Sequence, residues 1–105
     1  MPRSSAAPVF AALGDETRLR LVRRLCDDGP ASIRQLTAGS RVTRQAITKH
    51  LRVLERAGIV HGERRGRESR WQLEQVRLDE ARRYLDLISR EWDDALARLK
   101  KHVED

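Results

Sequence analysis

The sequence predicts a mainly α-helical (α+β) fold: a run of helices, a two-stranded hairpin, and a long final helix. Three observations predict it. Apolar residues recur at helical spacing through most of the 105 residues. The period changes to that of strands only around residues 59–73. From about Val76 to Val103 no glycine or proline interrupts the helical pattern. Only 39% of the residues are hydrophobic and 36% are charged, against roughly 25% charged in average domains. A core that small suggests a helical protein that completes itself by pairing with a second copy.

The elements follow in order. Residues 1–8, MPRSSAAP, read as a flexible N-terminal tail, and residues 9–105 as one domain. VFAAL (9–13) is a short apolar helix that stops at Gly14. Asp15 suits the N-cap of ETRLRLVRRLCDD, in which Leu19, Val22 and Cys26 share a stripe with Leu21 and Leu25 beside it. Gly29-Pro30 ends that helix. Ser32 caps the short helix IRQLTAG, anchored by Ile33 and Leu36 and stopping near Gly39. Thr43 caps the next helix. Val42 before it and Ile47 at its fourth position form a hydrophobic staple that fixes the approach of the chain. Ile47, Leu51 and Leu54 then make one narrow apolar stripe, and Gly58 supplies the stop.

IVHGERR and ESRWQL, joined around Gly66-Arg67, read as a hairpin. In the final helix, Ala81, Leu85, Ile88, Trp92, Ala95 and Leu99 repeat at coiled-coil spacing, flanked by Tyr84, Leu96 and Val103. At about 1.5 Å per residue this helix is some 40 Å long, more than the rest of the chain can cover. Leu85, Ile88, Trp92, Leu96 and Leu99 are therefore expected at a homodimer seam, helped by Val9, Phe10 and Leu13.

The net charge is +6, and its distribution says more than its size. Residues 1–40 hold six Lys and Arg against four acids, residues 41–70 nine against three, and residues 71–105 seven against nine. The middle third thus carries a charge equal to the whole excess, which favours an anionic partner. Cys26 is the single cysteine, so no internal disulfide forms and a reducing compartment is expected. MPRSSAAPVF lacks the apolar run of a signal peptide, and no stretch is long and apolar enough for a membrane span. A cytoplasmic, nucleoid-associated protein is expected. No nucleophile is paired with a base and no glycine-rich phosphate loop is present, so an enzyme is not expected, and no cofactor is implied.

Two helices joined by the short turn TAGSRV make a helix-turn-helix, whose second helix lies in the major groove of duplex DNA. With Ile47, Leu51 and Leu54 inward, Arg44, Gln45, Thr48, Lys49 and Arg52 face out, with Thr43 at the tip. Arg and Lys can donate to guanine O6 and N7, Gln can pair with adenine, and Thr offers a hydroxyl and a methyl. Arg41 and Arg56, near the helix ends, suit phosphate contact, as does His50 if it does not simply pack beside the stripe. Arg64, Arg65, Arg67 and Arg70 crowd the hairpin, which reads as a wing that runs along phosphates or enters a narrow minor groove.

ALGDETRLRLVRRL, then SIRQLTAGSRVTRQAITKHLRVLERAGIV, then RRGRESRWQL resemble the ArsR/SmtB family of bacterial winged-helix repressors over about Val9 to Leu73. TKHLRVLERAGIV is similar to the family pattern SxHLxxLxxAGLV. The resemblance implies a dimeric, DNA-binding repressor released by a metal, an oxidant or another signal. Where many members carry a Cys-x-Cys metal pair, this chain has Ser32 and Arg34. Its last helix offers only His102, so it resembles a subgroup without the usual metal ligands, and no metal is expected.

Cys26 reads first as a small buried hydrophobe. The alternative is a thiol switch, favoured by Arg23 and Arg24 and opposed by Asp27 and Asp28. His61 is uninformative. Two readings from other classes remain beside the repressor: a sequence-blind basic architectural protein, and a protein-interaction module built on the long helix.

Overall fold

The structure is a computed structural model that describes residues 6–104. Its elements run α1 (Ala6–Leu13), α2 (Glu16–Asp28), β1 (Ala31–Ser32), α3 (Ile33–Thr37), α4 (Arg44–Arg56), β2 (Val60–Arg65), β3 (Glu68–Leu73) and α5 (Gln75–Glu104). Residues 1–5 of the predicted tail lie outside the described residues. The remainder of that tail is helical, because α1 begins at Ala6 rather than Val9. Pro8 is tolerated there since it falls in the first turn, where a backbone N–H has no helical acceptor to lose.

Asp15 caps α2 as predicted, its carboxylate accepting from the Arg18 backbone N–H at 3.0 Å. The buried edge of α2 differs from the predicted stripe. Leu21, Val22 and Leu25 turn inward, toward α4 and β3, while Leu19 is 46% exposed and Cys26 is exposed. The reading of Cys26 as a buried hydrophobe is therefore wrong for the protomer. Its helix meets the core along the neighbouring edge.

Ser32 and Gln35 form a reciprocal capping box on α3: Ser32 Oγ accepts from Gln35 N at 3.1 Å, and Gln35 Oε1 accepts from Ser32 N at 2.9 Å. The same segment supplies β1, so the sheet has three antiparallel strands in the order β1-β3-β2 instead of the two expected. Ala31 pairs with Trp71, and Trp71 in turn with Gly62. The Trp71 ring lies flat on Gly62, where an added Cβ would stand only 3.3 Å from ring carbons. The β2–β3 turn is Gly66-Arg67, with Gly66 at φ +62°.

Thr43 caps α4 by accepting from Ala46 N at 3.1 Å. Ile47, Leu51 and Leu54 are 1%, 0% and 0% exposed, and pack with Leu21, Leu25, Leu36, Ile59, Val60 and Trp71 into one core. Val42 packs against that core, as the staple requires. Gly58 reverses the chain at φ +78°, which lets Ile59 N donate to Leu54 O at 3.0 Å. Nothing larger fits without a shift, since its Cβ would lie 2.8 Å from the Arg77 side chain.

The 30 residues of α5 span about 45 Å. Only Ala81 is buried; Phe10 of α1 meets Tyr84 with ring centroids 6.0 Å apart. Beyond that contact Leu85, Ile88, Trp92, Leu96 and Leu99 are all exposed, so the predicted stripe projects uncovered from the body. The radius of gyration of 18.0 Å exceeds the roughly 13 Å of a compact chain this long. No helix among the described residues is long and apolar enough to cross a membrane.

Candidate nucleic-acid interface

The buried stripe of α4 fixes what its other side presents. Arg44, Gln45 and Lys49 are exposed opposite Ile47, Leu51 and Leu54, with no carboxylate bonded to them. The two predicted threonines are partly committed. Thr43 Oγ1 is occupied as the helix cap, and the half-buried Thr48 donates its hydroxyl to Arg44 O at 2.8 Å. Thr43 keeps its methyl and its O–H donor, and Thr48 its methyl and acceptor capacity.

The remaining cations of this segment divide. Arg52 is exposed, but its guanidinium sits 5.5 Å above the Trp71 ring and bonds Glu55 at 3.0 Å, so it braces α4 against the sheet. His50 is half-buried, which matches the packing alternative of its reading. Its Nδ1 lies 3.3 Å from Arg18 Nη1 and 3.8 Å from Asp15 Oδ2, joining α4 to the start of α2. There the Arg18 backbone N–H holds the Asp15 carboxyl below its usual pKa, against the opposing effect of desolvation. Arg56 is exposed at the other end of α4 from Arg44, in a groove shared with Pro8 and Ala11 of α1. Arg41 stands on the α3–α4 turn beside α2.

The wing arginines are all exposed. Strand register sorts them, since alternate residues share a face. Arg65 is opposite Glu68 and Arg70 opposite Glu63, so each faces a carboxylate across the hairpin. Arg64 is opposite Ser69 on the Trp71 face and donates to Gly66 O at 3.3 Å. Arg67 lies in the turn. It lines, with Arg34, Arg44 and Glu68, a groove of about 230 Å³ that also takes in Ser32, Ile33 and Ser69.

That groove joins α3, the tip of α4 and the wing, and it brings in a residue that sequence reasoning passed over as a site. Arg34 had a legible signal, an exposed cation in the first turn of the helix before α4. Its approach to Arg67 depends on β1 pairing with β3, which two residues are too short to announce. What the groove offers chemically is three arginines against one carboxylate, Glu68, beside the donors of α4, a net positive lining suited to a phosphate. Among the described residues no group of three or more His, Cys, Asp or Glu is placed to hold a metal ion.

Residues 13–63 match a family of helix-turn-helix domains. Over 65 residues the chain is 40% identical to YuzN of Bacillus subtilis, an uncharacterized HTH-type transcriptional regulator, covering 56% of this chain and 71% of that one. An ArsR-like transcriptional regulator from Rhodococcus sp. RHA1 superposes with a TM-score of 0.76 at 39% identity, covering 92% of this chain and 91% of its own. A homodimeric winged helix-turn-helix domain from Mycobacterium bovis, solved in solution, shares the fold at 19% identity and a TM-score of 0.63, covering 90% of this chain and 83% of that one. The exposed donors of α4, the wing beside them and these likenesses agree: the chain belongs to the ArsR family of helix-turn-helix transcriptional regulators, a family of DNA-binding proteins and not of enzymes.

Proposed function

We propose that the chain is a homodimeric repressor that binds a pseudo-palindromic operator, one α4 per protomer entering successive major grooves. The observation that carries this reading is the division of α4, with a sealed apolar stripe on one side and Arg44, Gln45 and Lys49 free on the other. Arg44 and Lys49 donate to guanine O6 and N7, and Gln45 pairs with adenine N6 and N7. Arg34, Arg64 and Arg67 hold the backbone and set the register, with Arg41 at the edge and Arg65 and Arg70 weakened by their cross-strand acids. Repression follows from occupying DNA that polymerase needs, in the cytoplasm where the nucleoid lies.

Dimerisation is supported by surface. The chain exposes 8315 Å², whereas a compact monomer of 12.1 kDa exposes roughly 6,000 Å². The excess is in the range that homodimers hide, and α5 carries its apolar part. Val9 is buried within the protomer already, so the half-buried Phe10 and Leu13 and the α5 stripe are the predicted seam residues left to face a partner. The Mycobacterium bovis relative of the same fold is itself a homodimer.

Selection of bound duplexes from a random pool tests the reading. The expected product is two inverted half-sites about one helical turn apart. Enrichment of a single unrepeated site would overturn the dimeric part, and no enrichment at all would make the protein a sequence-blind binder.

A further inference from the structure

We propose that the cleft between α2 and the α3–α4 turn binds a small organic anion with an apolar body, in a seat beside the DNA-reading face that shares Arg41 with its edge. The cleft holds about 430 Å³, within the range of small-molecule sites, roughly 300–1,000 Å³. Its apolar lining is the half-buried Val42 and the exposed Ala38, with the edges of the core side chains Leu21, Leu36 and Ile47 beneath them. Three arginines line it: Arg20 and Arg24, one turn apart on α2, and Arg41 on the turn. No carboxylate is among the residues that line it.

Chemistry selects the guest. Three cations around an apolar lining repel a cation and give a neutral molecule nothing for their donors to meet. A carboxylate head accepts from guanidinium forks two bonds at a time, and a ring or short chain behind it covers that lining. Arg20 and Arg24 do have partners, Glu16 at 2.7 Å and Asp28 at 3.8 Å. Both pairs are exposed and one turn apart on the same helix, an arrangement that contributes little, so a better-placed acceptor displaces them. Arg24 also donates to Leu36 O at 3.4 Å, which holds its guanidinium at the edge of the cleft. A DNA phosphate offers similar head-group chemistry but brings no apolar body for that lining.

The core side chains beneath it belong to α2, α3 and α4, so a guest there sets their spacing and with it the angle of α4. Occupancy is then coupled to DNA affinity, a consequence that rests on the repressor reading. The site itself does not rest on it, and the first measurement uses protein without DNA.

The probe is 1-naphthoate, titrated calorimetrically into the full chain, with 1-naphthamide and sulfate as controls. Naphthoate is expected to bind once per protomer, about tenfold or more tighter than either control, and the double variant R20Q/R24Q to lose at least about tenfold with its melting temperature unchanged. Equal binding of naphthoate and naphthamide, undiminished binding by the variant, or no heat from naphthoate at about 10 mM overturns the proposal. In a second arm the variant, without naphthoate, is expected to hold a selected duplex as tightly as wild type. A weaker complex with a shallower salt dependence would assign these arginines to DNA phosphates and overturn the proposal. In wild type alone, naphthoate is expected to change duplex affinity. An unchanged affinity with naphthoate bound would refute the coupling while leaving the site.

Discussion

Replacing Trp92 by aspartate puts a charge in the middle of the stripe that α5 leaves uncovered. Trp92 is 64% exposed, and a side chain of this class presents roughly 150–250 Å², so about 100–160 Å² is open to a partner. At roughly 25 cal/mol per Å² that burial is about 2.5–4 kcal/mol in each protomer, and a symmetric seam counts it twice. The aspartate adds the cost of an unpaired carboxylate at the same place. Even discounted by half, the lost burial alone weakens the dimer by about a hundredfold to a thousandfold. Sedimentation equilibrium at micromolar concentration measures this directly, and circular dichroism checks that α5 stays helical. Arg90→Asp, nearly opposite Trp92 on the helix, is expected to leave the dimer intact. A Trp92→Asp protein that dimerises like wild type would place the interface elsewhere.

Gly58→Ala is expected to destabilise the fold by about 1–2 kcal/mol in denaturant titrations, from its φ of +78° and the Arg77 side chain 2.8 Å from the new Cβ. The Asp15 carboxyl has its pKa lowered by the Arg18 backbone N–H. Its contribution is therefore complete above the ordinary carboxylate value and lost as pH falls through the lowered one. Melting temperature against pH should fall more steeply on the acid side for wild type than for Asp15→Asn, and parallel curves would refute the cap's role. Arg67→Ala should weaken binding to all duplexes alike and reduce the salt slope by about one, because it acts on phosphate; a change confined to one sequence would contradict that.

Much of the fold was legible because its signals are local. The caps at Asp15, Ser32 and Thr43, the Val42–Ile47 staple and the Ile47-Leu51-Leu54 stripe each need only a few neighbouring residues, and all are as the sequence indicates. What was illegible depends on tertiary contact. The edge that α2 buries is chosen by α4 and β3, so Cys26 and Leu19 lie outside it. Strand β1 is two residues long, too short for any period, and exists because β3 passes beside it. The site divides the same way. The exposure of Arg44, Gln45 and Lys49 follows from helical phase alone. The placement of Arg52 over Trp71, of His50 near Asp15 and of Arg56 beside α1 follows from partners far away in sequence.

The central claim is that α4 reads bases through Arg44 and Lys49, and the affinity ratio between a selected duplex and a scrambled one tests it most directly. For wild type a ratio of about 10³ or more is expected at physiological salt. In Arg44→Ala and Lys49→Ala that ratio should drop by about 1–3 kcal/mol in each, while affinity for scrambled duplex changes far less. A wild-type ratio near one, or a ratio that survives both substitutions, would contradict it.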